Sequence, residues 1–170
     1  MRPGVRLGVD VGTVRVGLAV SDPEGRLASP AGTLARDAHA GADVDRIAQE
    51  AQQRQAIEVV VGLPRSLSGA EGVAAEQARD YARALHRALN GVGVRLWDER
   101  LTTVDAHRHL RASGVASRRQ RDTVDQAAAV LILQAALDAE RSTGSPGGEV
   151  VTRRKPRHRA APDRQQGRQS

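Results

Sequence analysis

Residues 5–20, VRLGVDVGTVRVGLAV, decide how this chain is read. Residues 5–10 alternate in side-chain character and end in an acid, Asp10. Residues 14–20 alternate again and are rich in β-branched side chains. Val11-Gly12-Thr13 lies between them. Two alternating runs around a short glycine turn read as a β-hairpin. Gly12 and Gly17 suit tight backbone geometry or close strand packing.

Working outward, residues 26–34 form a weaker third strand. Residues 41–55 carry Val44, Ile47, Ala48 and Ala51 at helical spacing. Residues 57–62, IEVVVG, are a short apolar run expected as a buried central strand. The loop GLPRSLSG follows, then an Ala-rich helix over 71–90 and a last strand at 93–97, GVRLW. Thr102 opens a further helix, with Asp105 three residues on completing a capping-box-like pair. That helix ends near Ser113-Gly114, and residues 115–121 form a basic connector. Residues 122–141 are the strongest helix, with Val124, Ala127, Ala128, Leu131 and Ala135 on one face. The order predicts an α/β fold, a five-stranded mixed sheet flanked by helices. The domain is expected to span residues 1–142, followed by a disordered basic tail at 143–170, whose Pro- and Arg-rich composition cannot offset its ordering entropy.

Composition narrows the function classes. The chain has 170 residues, enough for one domain with a real core. It has no cysteine, which excludes a disulfide scaffold, a thiolate metal site and thiol catalysis. Its longest apolar run, Ala127 to Leu133, is seven residues, against the ~20 of a membrane-spanning helix. No signal-peptide-like stretch opens the chain, so no membrane partner is expected and a cytoplasmic location is. Residues 141–170 hold eight basic and two acidic residues, an excess that accounts for the entire net charge of +6. Such an arm raises nucleic-acid affinity by counterion release, or merely aids solubility. With only Tyr81 and Trp97 as aromatics, base stacking is not expected, and recognition should rest on phosphate contacts and shape.

The carboxylates carry the chemistry. Asp10 ends the first strand, where α/β sheets usually bind ligands, although it also suits an Asx turn before Gly12. Asp98 and Glu99 follow the last strand, and at most one of them can face the same site as Asp10. Asp125 lies early on the last helix, where an acid also suits the positive helix end. Asp122, one turn earlier, shares its face. Oxygen-only donors favour Mg²⁺ or Mn²⁺, and two such ions would clamp the attacking and leaving oxygens of a phosphodiester. The loop Gly62-Leu63-Pro64-Arg65-Ser66 could bring backbone donors and Arg65 to a phosphate, or simply connect strand to helix. Arg100, beside the acids, is a further candidate contact. His107 and His109 face different directions on their helix and are not expected to share a metal.

Four blocks, GVDVGTVRVGLAVSD (8–22), VGLPRSLSG (61–69), DERL followed by TT (98–103) and VDQAAAVLILQ (124–134), resemble the YqgF/RuvX family in order and spacing. The resemblance spans roughly residues 5–138. It implies an RNase H-like fold related to the RuvC Holliday-junction resolvases. It also implies a metal-dependent nuclease, either of the 16S ribosomal RNA precursor in ribosome biogenesis or of branched DNA. On this resemblance Asp10, Glu99 and Asp125 are the expected catalytic metal ligands. Arg15, Ser21 and Asp22 match second-strand positions near substrate or in packing, and Thr102 and Thr103 match a helix-opening pair. Arg15, Arg65 and Arg100 are the candidate substrate-binding residues. Asp122 departs from the family pattern and is not counted as a ligand. A resolvase would be expected to act as a homodimer on a two-fold symmetric junction. Two other classes compete. A non-catalytic ribosome-assembly factor would bind RNA and ignore the metal. An actin-like or sugar-kinase ATPase would share the Asp10–Thr13 turn, but it needs a second such domain.

Overall fold

The computed structural model describes residues 1–102 and 118–152, with backbone alone for 118–122. The expected hairpin is β1 (Arg6–Val11) and β2 (Arg15–Ser21), paired antiparallel with Asp10 opposite Gly17. β3 (Ala28–Ala35) extends it on the outer side, with an irregularity between Leu18 and Ala19. β4 (Glu58–Leu63) lies parallel to β1 on its other side, and β5 (Gly93–Asp98) lies parallel to β4. The helices α1 (Ala42–Gln53) and α2 (Val73–Ala88) supply the crossovers. A single 3-10 turn, Glu99–Leu101, closes β5. The long helix α3 (Arg118–Thr143) follows.

Two expectations are corrected. The sheet has six strands, in the order β3-β2-β1-β4-β5-β6, the last being β6 (Glu149–Val150). Gly148 takes a left-handed conformation (φ 82°), which turns the chain back along β5. Glu149 then pairs with Leu96, and the Val151 N–H donates to the Val94 carbonyl at 2.9 Å. Ordered structure therefore continues past residue 142. A two-residue strand is too short to show a period, and its partner lies more than fifty residues away. The second correction is that α3 begins at Arg118, inside the expected connector, where Arg and Gln are good helix formers. The helix expected from Thr102 to Ser113, with Thr103, His107 and His109, lies outside the described residues. So do the side chain of Asp122 and the tail from residue 153.

Strand alternation splits the core into two layers. Leu7, Val9, Val16, Leu18, Val59 and Val61 face α1 and α2. Ala19, Val60 and Trp97 face Ala128, Ala129, Ile132, Leu133 and Leu137 of α3. Gly8 lets α3 sit directly on the sheet, since a methyl there would stand 2.7 Å from Leu133 Cβ and 2.8 Å from the Ala129 carbonyl. Among the described residues no helix is long and apolar enough to cross a membrane.

The α3 face also carries a buried ionic cluster at the end of the sheet where β1 begins. Arg6 is 1% exposed and donates to both carboxylate oxygens of Glu140 at 3.2 Å. Arg2 bridges Glu140 at 2.9 Å and Glu58 at 3.1 Å, and Arg95 joins Glu58 at 2.9 Å. The Arg2 hydrogen bond, followed by the charges of Arg6 and Arg2, holds the Glu140 carboxyl down at about 2. Buried charges persist only when paired in this way.

Candidate active site

Parallel strands β1, β4 and β5 end together, and the segments leaving them gather at that end. Asp10, on the α3 face of β1, is 1% exposed. Its neighbours in the sheet are glycines. Gly17 is its partner on β2, and Gly62 lies one step beyond the Val9–Val61 pair on β4. Both glycines leave room that other groups fill. A methyl on Gly17 would overlap the backbone carbonyl of Asp125, standing 2.5 Å from its carbon. A methyl on Gly62 would overlap Glu99 Oε1 and stand 2.5 Å from Ile132 Cδ1. Helix α3 thus brings Asp125 down over β2, and the 3-10 turn lays the Glu99 carboxylate over β4, on either side of Asp10.

The 3-10 turn also separates Asp98 from Glu99. Glu99 points inward and is 1% exposed. Its carbonyl accepts from the Thr102 hydroxyl at 2.8 Å, so Thr102 closes this turn. Asp98 points outward, accepts from the Arg100 backbone N–H at 3.1 Å and pairs with the Arg100 guanidinium at 2.6 Å. Those bonds hold its carboxyl below the usual carboxylate range. The pair therefore divides, one acid inward and one outward, as an extended chain requires.

The three candidate arginines all stand at this end, each on a carboxylate. Arg15 donates from Nε to Asp125 Oδ2 at 2.9 Å. Arg65 pairs with Glu71 at 2.7 Å and reaches Asp98 at 3.5 Å. Arg100 holds Asp98. Glu71 is shared with Arg79, and these two cations hold its carboxyl down at about 2. Arg79 in turn binds Glu149 of β6 at 2.8 Å. A chain of ion pairs therefore runs from the 3-10 turn to the sixth strand. Nothing in the sequence pattern marked Glu71 or Arg79. Their spacing along α2 and its leading loop reads as ordinary surface charge.

Ser21 and Asp22 are not part of this gathering. They lie at the opposite end of β2, where Ser21 accepts from the Arg6 N–H at 2.9 Å and Asp22 caps its turn by accepting from the N–H groups of Arg26 and Leu27.

Three buried carboxylates offer only oxygen, the donor set of a hard divalent cation. Among the described residues no group of three or more His, Asp or Glu side chains is drawn together closely enough to hold an ion by itself. The donor chemistry fits Mg²⁺ or Mn²⁺, which complete their coordination with water and phosphate oxygens rather than with an all-protein cage.

Curated relatives cover nearly the whole chain. A protein of Kineococcus radiotolerans named "Putative pre-16S rRNA nuclease" is 58% identical over 162 residues, 94% of this chain and 86% of its own length. One of Clavibacter sepedonicus with the same name is 51% identical over 164 residues, 96% of this chain and 99% of its own. Among solved structures, "T. thermophilus RuvC in complex with Holliday junction substrate" superimposes with a TM-score of 0.51 at 17% identity. It covers 86% of this chain and 99% of its own, a likeness of fold and hence an RNase H-like architecture. The family model described as "RuvX: Holliday junction resolvase" matches residues 4–139, and the chain belongs to that family.

Proposed function

We propose that this chain is a metal-dependent nuclease that hydrolyses phosphodiester bonds, with the 16S ribosomal RNA precursor, processed near its 5′ end in the cytoplasm, as its substrate. One observation carries the reading: three buried carboxylates from three separate elements stand at one sheet end, where Gly62 makes room for the Glu99 carboxylate and Gly17 for the Asp125 backbone. Asp10 and Glu99 are the two most buried of the three, and Arg15 pairs with the third, Asp125. The names carried by relatives at 51% and 58% identity support the RNA substrate.

Asp10, Glu99 and Asp125 would hold one or two Mg²⁺ or Mn²⁺ ions. When bound, such ions supply Lewis-acid stabilisation of the phosphoryl oxygens. Asp10 would be the central ligand, since it stands on β1 between the elements that carry the other two acids. Glu99 is aimed by the 3-10 turn and seated over Gly62. Arg15 neutralises Asp125 across the β2–α3 contact and orients its carboxylate. Arg65 and Arg100 line the outer rim, where their guanidinium groups can exchange carboxylate for phosphate, a geometry both anions share.

The description of the matching family favours a second reading, a resolvase of four-way DNA junctions acting as a homodimer. Both readings are tested side by side with labelled 16S precursor RNA and a synthetic four-way junction. Each substrate meets Mn²⁺, Mg²⁺ or EDTA, with wild type and Asp10→Asn. The expected result is metal-dependent cutting of the RNA that the variant loses. Symmetric cutting of the junction alone would put the resolvase reading first. Binding without cutting by wild type, indifferent to metal, would replace both with a non-catalytic assembly factor.

A further inference from the structure

Of the large apolar side chains left exposed among the described residues, four stand at the end of the sheet that carries the acids. Val14 lies in the β1–β2 turn, Leu67 in the β4–α2 loop, Val73 at the start of α2 and Leu101 in the 3-10 turn. Leu67 is the extreme case, at 91% exposed. Its loop is not slack. The Ser66 N–H donates to the Ala70 carbonyl at 3.0 Å, and the Gly69 N–H donates to the Ser66 carbonyl at 2.8 Å. The Ser66 hydroxyl accepts from the Ala70 N–H at 3.1 Å. Gly69, at φ 84°, takes the left-handed conformation that this tight turn needs. It lies against the Arg100 guanidinium, where a methyl would meet Nη1 at 3.1 Å. Arg100 is itself fastened to Asp98. Leucine is therefore presented to solvent on a turn tied to the segment that carries Glu99.

We propose that Leu67 is an apolar wedge that packs on or between nucleobases when nucleic acid enters this end of the sheet. The inference rests on the nuclease reading and says how such a substrate is gripped beyond its phosphates. Both aromatic residues are sealed in the core, Tyr81 at 3% and Trp97 at 5% exposure, so neither can stack on a base. Exposed aliphatic side chains are what this surface offers to a base face. Aliphatic wedges are an established way of opening a base step. Leu67 has small hydroxyls on both sides, Ser66 and Ser68, and Arg65 and Arg100 nearby. A protruding leucine flanked by hydroxyls, with guanidinium ions nearby, matches a base step with its flanking phosphates. A protein interface would be expected to present a broader apolar core.

The test places 2-aminopurine at successive positions of the precursor RNA and of the four-way junction, in Ca²⁺ buffer, and compares wild type with Leu67→Ala and Leu67→Met. Binding is measured by fluorescence anisotropy at several salt concentrations. Wild type should raise 2-aminopurine emission at one or two adjacent positions. Leu67→Ala should lose that rise and bind about tenfold more weakly, with an unchanged salt slope because phosphate contacts remain. Leu67→Met should retain both. As an exposed position, Leu67 should leave the melting temperature of each variant at the wild-type value. An undiminished emission rise and affinity in Leu67→Ala would overturn the wedge while leaving the nuclease reading intact. Failure of wild type to bind either nucleic acid would overturn the nuclease reading and the wedge with it.

Discussion

Adding one methyl group at Gly17 and, separately, at Gly62 tests how the acids are assembled, because the two methyls meet different kinds of neighbour. At Gly17 the new carbon would overlap the Asp125 carbonyl and stand 2.5 Å from its carbon. Ordinary carbon contacts lie at about 3.5–4.0 Å, so the helix or the strand must retreat by about 1 Å. Neither can do so freely. Gly17 is held in the β1–β2 ladder, and α3 is seated on Gly8 through Ala129 and Leu133. Overpacking of this kind costs about 1–3 kcal/mol, which for a domain of this size lowers the melting temperature by roughly 3–10 °C. At Gly62 the methyl meets Glu99 Oε1 and Ile132 Cδ1, the tips of two side chains that can rotate away. Its cost should stay near ~1 kcal/mol, but the Glu99 carboxylate must leave its seat. Circular-dichroism melting and metal-dependent cleavage would be measured on both variants. Gly17→Ala should lose stability and activity together, and Gly62→Ala should lose activity while melting within about 1–3 °C of wild type. A Gly62→Ala protein that cuts at the wild-type rate would refute the role assigned to the Glu99 seat. A Gly17→Ala protein that melts at the wild-type temperature would refute the close approach of α3.

Three further outcomes follow from the packing. The Glu140 carboxyl is held at about 2 against an ordinary 4.5, so its contribution is complete above pH 4.5 and drains away as pH falls toward 2. Glu140→Gln should cost about 3 kcal/mol at neutral pH and flatten the melting profile over that acid range, and a profile parallel to wild type would contradict the pairing. Tyr81→Phe removes the hydroxyl that donates to buried Asp43 at 2.9 Å and leaves Arg36 at 3.7 Å as that acid's cationic neighbour. It should cost about 1–3 kcal/mol by thermal melting, and a neutral result would mean that Asp43 does not need the phenol. Arg79→Ala cuts the tie between Glu71 and Glu149. Global stability should change by less than about 1 kcal/mol, while amide exchange at Val151 quickens, and unaltered exchange there would show that β6 holds without the ion pair.

Much of this molecule was legible along the chain. The hairpin, β4, both crossover helices and β5 announce themselves through periods of two and 3.6 and through glycine punctuation, and each is decided by residues within a few positions of one another. Asp10 and the Asp98–Glu99 pair stood out because they end strands. That the Asp98–Glu99 pair must divide followed from backbone alternation. Which acid turns inward did not, because it depends on the 3-10 turn and on the room above Gly62. Only the assembled fold put Ser21 and Asp22 at the far end of the sheet, brought Arg15 onto Asp125 110 residues away, and added β6 beside β5. It also decided that Gly17 and Gly62, two residues without side chains, would define where the acids sit. Local patterns are set by covalent neighbours, whereas the meeting of distant residues is set by which surfaces can close-pack. Here the closest packing occurs where a side chain is missing.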